Sequence, residues 1–206
     1  MDFELDSLAA LGLFVAAAAG LRWADRRTQA AFLASFDGDP DHHVVHRGPP
    51  TIGSNRRPGL QVVADDIADS SCWRVTASDV RLGMYTTLSV TTVGLLGRGF
   101  GLSQILTGDG LFDQKFIVRG SDHDQLQKVL DEEEVREAIT TLFRDHVSTF
   151  ELNADGVLEI HLPREGYKAA QAKEALHRVE SVLVALDAAT AAITSGKPGA
   201  SSVRRR

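Results

Sequence analysis

Three histidines close together in the chain are the densest set of side chains that could ligate a metal. His42, His43 and His46 follow Asp41, and imidazole and carboxylate groups are ligands for zinc and other transition metals. The segment is flanked by prolines and glycines, however, and two histidines four positions apart share a face only on a helix. Because no second ligand group is identifiable in the sequence, we interpret them as surface residues and predict no metal and no cofactor.

Two carboxylates lie four positions apart in the segment from Thr107 to Phe116. Asp109 and Asp113 could bind a cation or exchange a proton. The alternating ligands and the terminal glutamate of an EF-hand loop are missing from this segment. The pattern favours a structural turn with two flexible glycines and two core phenylalanines: Gly108, Gly110, Phe112 and Phe116.

A glycine-containing segment further upstream has the composition of a phosphate-binding loop. Its glycines are Gly94, Gly97, Gly99 and Gly101. A P-loop needs Lys followed by Ser or Thr, and a dinucleotide-binding loop needs a helix next. Residues 100–106 have the pattern of a strand instead, so we predict an ordinary loop between strands.

The sequence contains no motif for nucleophilic catalysis. Serines and histidines are numerous enough for a Ser-His-Asp arrangement, but no Gly-x-Ser-x-Gly turn is present. Cys72 is the single cysteine, which excludes an intramolecular disulfide and a zinc ribbon. It stands beside Trp73 with no neighbouring His or Lys in the sequence to stabilise a thiolate. We predict a half-buried structural thiol and assign no catalytic residue, which leaves enzymatic activity open and favours its absence.

Composition and charge describe an ordinary globular protein. The chain has 206 residues, of which 43% are hydrophobic and 24% charged, so the body can bury a core. Its formal net charge of -6 argues against nucleic-acid binding, which needs a basic face. The acidic run 131–134 fits a helix start, and the arginines at 204–206 fit a solvated tail.

The N-terminal stretch is the most unusual part of the sequence. Residues 7–21 carry no charge and would span about 22 Å as a helix at roughly 1.5 Å per residue, against a hydrocarbon core about 30 Å thick. Arg22 and Trp23 suit the interface and would lengthen the span. Three acidic residues before the stretch fit a secretory signal poorly. We therefore expect a membrane anchor over residues 8–23, with a soluble helix buried in the fold as the alternative.

Charge asymmetry predicts the orientation of such an anchor. Arg22, Arg26 and Arg27 follow the apolar stretch and no basic residue precedes it, so the positive-inside rule places the rest of the chain in the cytoplasm. Small residues recur at four-residue spacing within the stretch and could let two membrane helices pack closely; they are Gly12, Ala16 and Gly20. The expected location is the inner membrane with a cytoplasmic C-terminal domain, and the alternative is a soluble cytoplasmic protein.

The remaining patterns predict an α+β fold, with a mainly antiparallel sheet packed with helices behind the N-terminal helix. We expect a helix over 1–36, a connector over 37–58, an α+β domain over 59–195 and a flexible tail over 196–206. Short runs rich in Val, Thr and aromatic residues predict strands at 60–64, 72–77, 84–93, 100–106 and 116–119. Short gaps between them favour antiparallel pairing.

Helices and a hairpin are predicted in the second half of the chain. Ser121-Asp122 can cap a short helix, and Asp131 with Glu134 has the spacing of a capping box before a second one. Asp155-Gly156 lies between alternating apolar residues, which indicates a hairpin turn. From Tyr167, apolar residues spaced by three and four predict a long helix. We expect its stripe from Leu176 to Ile193 to pack on the sheet, or else to pair with a second helix.

These features resemble a group of uncharacterised bacterial proteins. Its members begin with a short apolar helix followed by arginines and continue through a β-rich segment. They then carry a Thr-Gly-Asp-x-x-Phe-Asp-x-x-Phe motif, two helices and a final hairpin. Here the motif is Thr107 to Phe116, and the resemblance covers roughly residues 8–162. The resemblance implies a membrane-tethered domain of unknown function and no catalytic residue.

Three hypotheses for function follow. The first is a non-enzymatic, membrane-associated interaction domain that binds an unidentified protein and no nucleic acid. The second is a soluble enzyme or metal-binding protein whose site has no recognisable motif. The third is a self-associating structural protein, a homo-oligomer formed through the Gly12 face or the Leu176–Ile193 stripe.

Overall fold

The chain folds into one antiparallel sheet of eight strands with helices. The computed structural model describes residues 20, 23–46, 48–67, 70–82, 86–93, 104–145, 147 and 149–195. Every strand pairing within these residues is antiparallel, and the spatial order is β1-β2-β3-β4-β8-β7-β5-β6. The strands are β1 (His42–Val45), β2 (Thr51–Ser54), β3 (Leu60–Ile67), β4 (Ser70–Ala77), β5 (Leu88–Thr92), β6 (Phe116–Gly120), β7 (Thr149–Leu152) and β8 (Leu158–Pro163).

Five helices accompany the sheet in the described part of the chain. They are α1 (residues 23–34), α2 (Gly110–Lys115), α3 (His123–Asp131), α4 (Glu133–Leu142) and α5 (Ala169–Thr194), and a 3-10 turn covers Phe143–Asp145. Helix α5 packs against β3, β4, α3 and α4. Its apolar stripe is buried at Leu176, Val179 and Leu183. Because α5 packs both on the sheet and on helices α3 and α4, each of the two predicted packing modes occurs.

Side-chain alternation on β4 separates a core face from a polar face of the sheet. Trp73 and Val75 are fully buried, and the Trp73 indole N–H donates to Gln171 of α5 at 3.0 Å. Because neighbouring side chains of a strand point to opposite faces, Cys72 and Arg74 lie on the face away from α5. The hydrophobic core therefore forms between α5 and one side of the sheet.

The predicted α+β class with a mainly antiparallel sheet is confirmed. Strands occupy the predicted 60–64, 72–77 and 116–119, and part of 84–93. The Asn153–Gly156 turn joins β7 to β8, with Gly156 at a φ of 77°, a conformation that suits glycine. From the predicted strand at 100–106, residues 104–106 are described, and Ile105 makes one isolated antiparallel bridge to Val118. The predicted loop glycines at 94–101 lie outside the described residues.

One of the two predicted helix caps differs from the structure. Asp122 caps α3 by accepting the N–H of Gln125 at 3.0 Å, as expected, but the capping box of Asp131 and Glu134 does not form. Glu132 is the residue before α4, and it makes no side-chain cap hydrogen bond. Helix α3 continues through Asp131, which removes that residue from the cap position.

Residues 37–58, expected as a connector, contain strands β1 and β2. All four residues of β2 are buried, and β2 pairs with β3 from Thr51↔Val63 to Gly53↔Gln61. The prolines that suggested a connector lie outside both strands, whereas Gly53 lies within β2. The sheet therefore extends two strands beyond the predicted boundary at residue 59.

The N-terminal helix is described only in its later part. Residue 20 and residues 23–34 are helical, whereas the predicted anchor residues 8–19, 21 and 22 lie outside the described residues, as does the predicted tail from residue 196. Phe32 and Phe36 belong to the hydrophobic core, so the domain boundary expected after residue 36 falls inside the packed body. Within the part of the chain that the structure covers, no helix combines the length and apolarity needed to cross a bilayer.

Candidate functional site

The predicted metal candidates are held apart by strand β1. His42 and His43 are neighbours in the strand and point to opposite faces. The His42 Nδ1 lies 3.1 Å from Asp39 Oδ1, and the His43 Nδ1 lies 2.7 Å from Asn55 Oδ1. His46 is exposed just after the strand. Among the described residues no group of three His, Cys, Asp or Glu could hold a metal ion.

Asp39 connects the edge strand to α5. Its carboxylate accepts hydrogen bonds from Lys173, from the Asp41 backbone N–H at 2.9 Å and from His42. The Lys173 hydrogen bond contributes most to lowering the pKa of Asp39, followed by the Asp41 N–H and His42, while burial opposes them. The polar side chains around β1 therefore join elements of the fold.

Asp113 holds the loop of the Thr-Gly-Asp segment in shape. One carboxylate oxygen accepts the Thr107 backbone N–H and the Thr107 hydroxyl, each at 2.9 Å, and the other accepts the Gly108 N–H at 3.0 Å. Gly108 has a φ of 76°, the left-handed conformation that glycine adopts without strain. The interpretation of this segment as a structural turn is confirmed at Gly108 and for the buried Phe112 and Phe116, but Gly110 begins helix α2 instead of relaxing a turn.

Asp109 has a second structural role in the same segment. Its side chain caps α2 by accepting the N–H groups of Leu111 at 3.0 Å and Phe112 at 3.2 Å. The Phe112 N–H is the main cause of the lowered pKa of Asp109, with smaller contributions from the Leu111 N–H and Arg136, and burial opposes them. The carboxylate thus stays ionised at neutral pH.

A groove lies between α2 and α4, next to this loop. It has a volume of about 410 Å³, within the range of about 300–1,000 Å³ found for ligand sites. The α2 wall includes Leu111, Phe112 and Lys115, and the remaining lining residues are Asp109, Glu133, Arg136, Glu137, Thr140, Thr141 and Arg144. This groove combines open volume with charged side chains, and we take it as the candidate functional site.

Arg136 links the two walls of the groove. Its Nη1 donates to the Leu130 carbonyl at 2.5 Å, and its Nε lies 3.4 Å from Asp109 Oδ2. That separation makes an ion pair, although the Nε–H forms no aligned hydrogen bond with any described residue. Arg136 therefore fixes the start of α2 against α4.

A row of reactive residue types crosses the polar face of the sheet. Because Arg74 of β4 pairs with His161 of β8, Cys72 comes within reach of this histidine: its Sγ lies 3.8 Å from His161 Nδ1. The His161 Nε2 lies 2.6 Å from Glu159 Oε1. Cys72, His161 and Glu159 thus have the order of a nucleophile, a base and an orienting carboxylate.

The surroundings of Cys72 oppose a catalytic thiolate. Cys72 is buried, and burial followed by the nearby charge of Asp65 raises the pKa of its thiol. The contact to His161, at 3.8 Å from Cys72 Sγ to Nδ1, lies near the upper limit for a hydrogen bond that involves sulfur. These surroundings favour the predicted structural thiol. Cys72 is only 8% exposed, however, so it is buried and not half-buried as predicted.

Sequence reasoning missed two features of these sites. His161 and Cys72 are 89 positions apart, and only strand register brings them together. The groove depends on the approach of α2 to α4, for which the sequence has no local signal. The acidic residues at 131–134 were interpreted as a helix start, and one of them, Glu133, also lines the groove.

The predicted helix-packing residues are described at one position. Gly12 and Ala16 lie outside the described residues. Gly20 is helical and exposed, and a Cβ atom added there would meet no described residue within 4 Å.

No protein-family model, curated protein or solved structure matches this chain.

Proposed function

We propose that this protein is a non-enzymatic, membrane-associated interaction domain whose folded body faces the cytoplasm and is tethered through residues 8–23. The observation that carries the proposal is the exposure pattern of α1. Residues 23–31 are exposed except for Gln29, which is half-buried, and the helix enters the core only at Phe32. An exposed helix of about two and a half turns thus joins the uncharged stretch to the body.

The exposed turns of α1 carry side chains that suit a membrane interface. Trp23 is 64% exposed, and the Arg27 guanidinium lies 5.5 Å from the centre of its ring. Tryptophan is enriched at membrane–water interfaces, and arginine is enriched on the cytoplasmic side. This combination next to residues 7–21 supports both the tether and its orientation.

The end of α1 is firmly joined to the body. The Phe32 ring stacks on Trp73 with centroids 5.4 Å apart, and Gln29 donates to the Tyr167 hydroxyl at 2.9 Å. The Arg164 guanidinium lies over both Trp73 and Tyr167, at 5.4 and 4.7 Å from their centroids. Movement of the tether would therefore carry the whole body with it.

Fractionation of the full chain tests the tether. We expect wild-type protein to sediment with membranes and to be released by detergent. Replacing Leu13→Glu together with Val15→Glu should shift most of it to the soluble fraction, because ionised side chains are costly in hydrocarbon. The matched control, Leu13→Ile with Val15→Leu, keeps the stretch apolar and should sediment like the wild type. A wild-type protein that is fully soluble without detergent would contradict the proposal.

A deletion must stop before the packed part of α1. Removing residues 1–22 leaves Phe32 and Phe36 in place, whereas removing residues 1–36 would take both out of the core. We expect the shorter deletion to be soluble with a near-UV circular dichroism spectrum matching that of the full chain. Continued sedimentation of this folded variant would place the membrane contact elsewhere.

A further inference from the structure

We propose that the groove between α2 and α4 binds an extended peptide segment of a partner protein. Counted from the end of the groove near the starts of the two helices, this segment presents a basic residue, then an apolar residue and then an acidic residue. This inference rests on the proposed interaction function and specifies the chemistry of the partner. It is carried by the separation of charge along the groove.

Two contacts show how α2 and α4 are aligned. Asp109, at the start of α2, lies 3.4 Å from Arg136 in the first half of α4. Phe116, at the end of α2, packs on Phe143, which follows α4, with ring centroids 5.1 Å apart. The two helices therefore run in the same direction along the groove.

This alignment places charges of opposite sign at the two ends. The end near the helix starts holds Asp109, Glu133 and Glu137 against the single cation Arg136. The end near the C-terminal ends of the two helices holds Lys115 and Arg144. A bound segment gains favourable electrostatic contacts only when its basic residue meets the first end and its acidic residue the second.

The charges at the two ends are available to a partner. Glu133, Glu137, Lys115 and Arg144 are exposed, and none of the four forms an ion pair with another described residue. Arg136, by contrast, is engaged with Asp109 and with a backbone carbonyl. Among the described residues, the groove thus offers carboxylates without an ion-pair partner at one end and cations without one at the other.

The wall between the charged ends offers an apolar contact on a fixed backbone. Leu111 is 73% exposed and lines the groove. The backbone under it is fixed by the Asp109 cap and by the three hydrogen bonds to Asp113. A preformed wall of this kind lowers the ordering cost of binding.

The spacing of the charges sets the length of the bound segment. Along α4, Glu137 and Glu133 are seven and eleven positions from Arg144, which is about 10 and 16 Å at roughly 1.5 Å per residue. An extended chain advances about 3.3 Å per residue. The basic and acidic residues of the partner should therefore stand about three to five positions apart, with the apolar residue between them.

Selection from a random peptide library tests the proposal. The full chain is kept in detergent micelles and presented to phage displaying random 12-residue peptides. We expect enriched sequences to carry Lys or Arg and Asp or Glu three to five positions apart, with an apolar residue between them. Their binding should weaken at least about tenfold in the Glu133→Lys, Glu137→Lys variant, because both carboxylates become repulsive.

A fourfold charge exchange gives the sharpest control. The variant Glu133→Lys, Glu137→Lys, Lys115→Glu, Arg144→Glu keeps the net charge and changes only exposed side chains. It should bind the original peptides weakly and select peptides with the opposite charge order. Near-UV circular dichroism and urea unfolding of each variant verify that it is folded.

Several outcomes would overturn the inference. Enriched peptides without the charge order, binding that is insensitive to both sets of substitutions, or no enrichment at all would each remove the groove as the docking site. Peptides that reproduce a segment of this chain would assign the groove to a second copy, not to a different protein. Membrane sedimentation is measured separately on the same variants and should be unchanged, so failure of the groove is distinguishable from failure of the tether.

Discussion

The Thr107–Phe116 segment and the Cys72–His161–Glu159 row both collect side chains that could do chemistry, and they differ in what surrounds those side chains. In the first, the polar groups hold a loop in shape beside a groove of about 410 Å³. In the second, the thiol is buried and its pKa is raised. Side chains of reactive types thus lie close together in both regions, and the first lies beside a groove with charges that have no ion-pair partner among the described residues.

The two regions should therefore respond differently to mutation. In the Thr107–Phe116 segment, the exposed groove residues Leu111 and Lys115 are not among the side chains that hold the loop in shape, so stability and binding should separate. In the Cys72–His161–Glu159 row, we expect the side chains to contribute packing, and we do not expect Cys72 to act as a nucleophile activated by His161.

The largest effect is expected at Phe112. Phe112→Ala should lower the free energy of unfolding by about 3–5 kcal/mol, because it removes a buried aromatic ring and leaves a cavity. Leu111→Ala, one position earlier, should change it by less than about 0.5 kcal/mol, as is usual for exposed side chains. Urea unfolding of both variants measures the difference. Equal losses would show that Leu111 contributes to the core as much as Phe112 does.

The next effect is expected at Asp113. Asp113→Ala should lower the free energy of unfolding by about 2–3 kcal/mol. The substitution leaves the Thr107 and Gly108 N–H groups and the Thr107 hydroxyl without their charged acceptor. Asp113→Asn keeps one acceptor oxygen and should cost roughly half as much. Thermal or urea unfolding compares the two variants. If Asp113→Ala left the free energy of unfolding unchanged, the loop would not depend on this carboxylate.

Cys72 tests the other half of the comparison. Because the pKa of its thiol is raised, the thiolate fraction at pH 8 is small, and iodoacetamide should react at least about tenfold more slowly with native protein than with urea-unfolded protein. The rate in the native protein should rise only as the pH passes above the usual titration range of a thiol. His161→Ala should not slow the reaction. Fast alkylation that depends on His161 would instead show an activated nucleophile.

The smallest effect is expected from the charge of Asp109. The folded state lowers the pKa of Asp109, so its ionised form stabilises the fold at pH values above the ordinary carboxyl range, and that contribution disappears as the pH falls. Asp109→Asn keeps a capping oxygen and should cost about 0.3–1 kcal/mol near neutral pH. The two proteins should become equally stable in acid. A difference that persists at low pH would point to geometry as the cause.

The parts of the fold that were predictable are those with local signals. Alternation marked β3, β4 and β8, the Asp155-Gly156 turn marked the hairpin, and the three-and-four spacing marked α5. Strands β1 and β2 were missed because each has four residues among prolines and glycines, too few for alternation to be recognised. The roles of Asp109 and Asp113 were predictable as a turn because their partners lie within six positions in sequence.

The remaining features depend on contacts between distant segments. Register alone brings His161 to Cys72, and a shift of one residue would turn His161 to the other face of the sheet. The groove requires α2 and α4 to run side by side, although a strand and a helix separate them in the chain. Helical periodicity identifies the buried face of each helix and has no information about which exposed faces border the same groove.

Fluorescence of the two tryptophans can test directly whether the exposed start of α1 lies at a membrane. Trp23 is 64% exposed and Trp73 is fully buried, so Trp23→Phe leaves a fluorescence signal from Trp73 alone. In vesicles whose lipids are brominated near the headgroup, we predict that the full wild-type chain is strongly quenched and the Trp23→Phe variant is not. Equal quenching of the two proteins, or none in either, would contradict the tether.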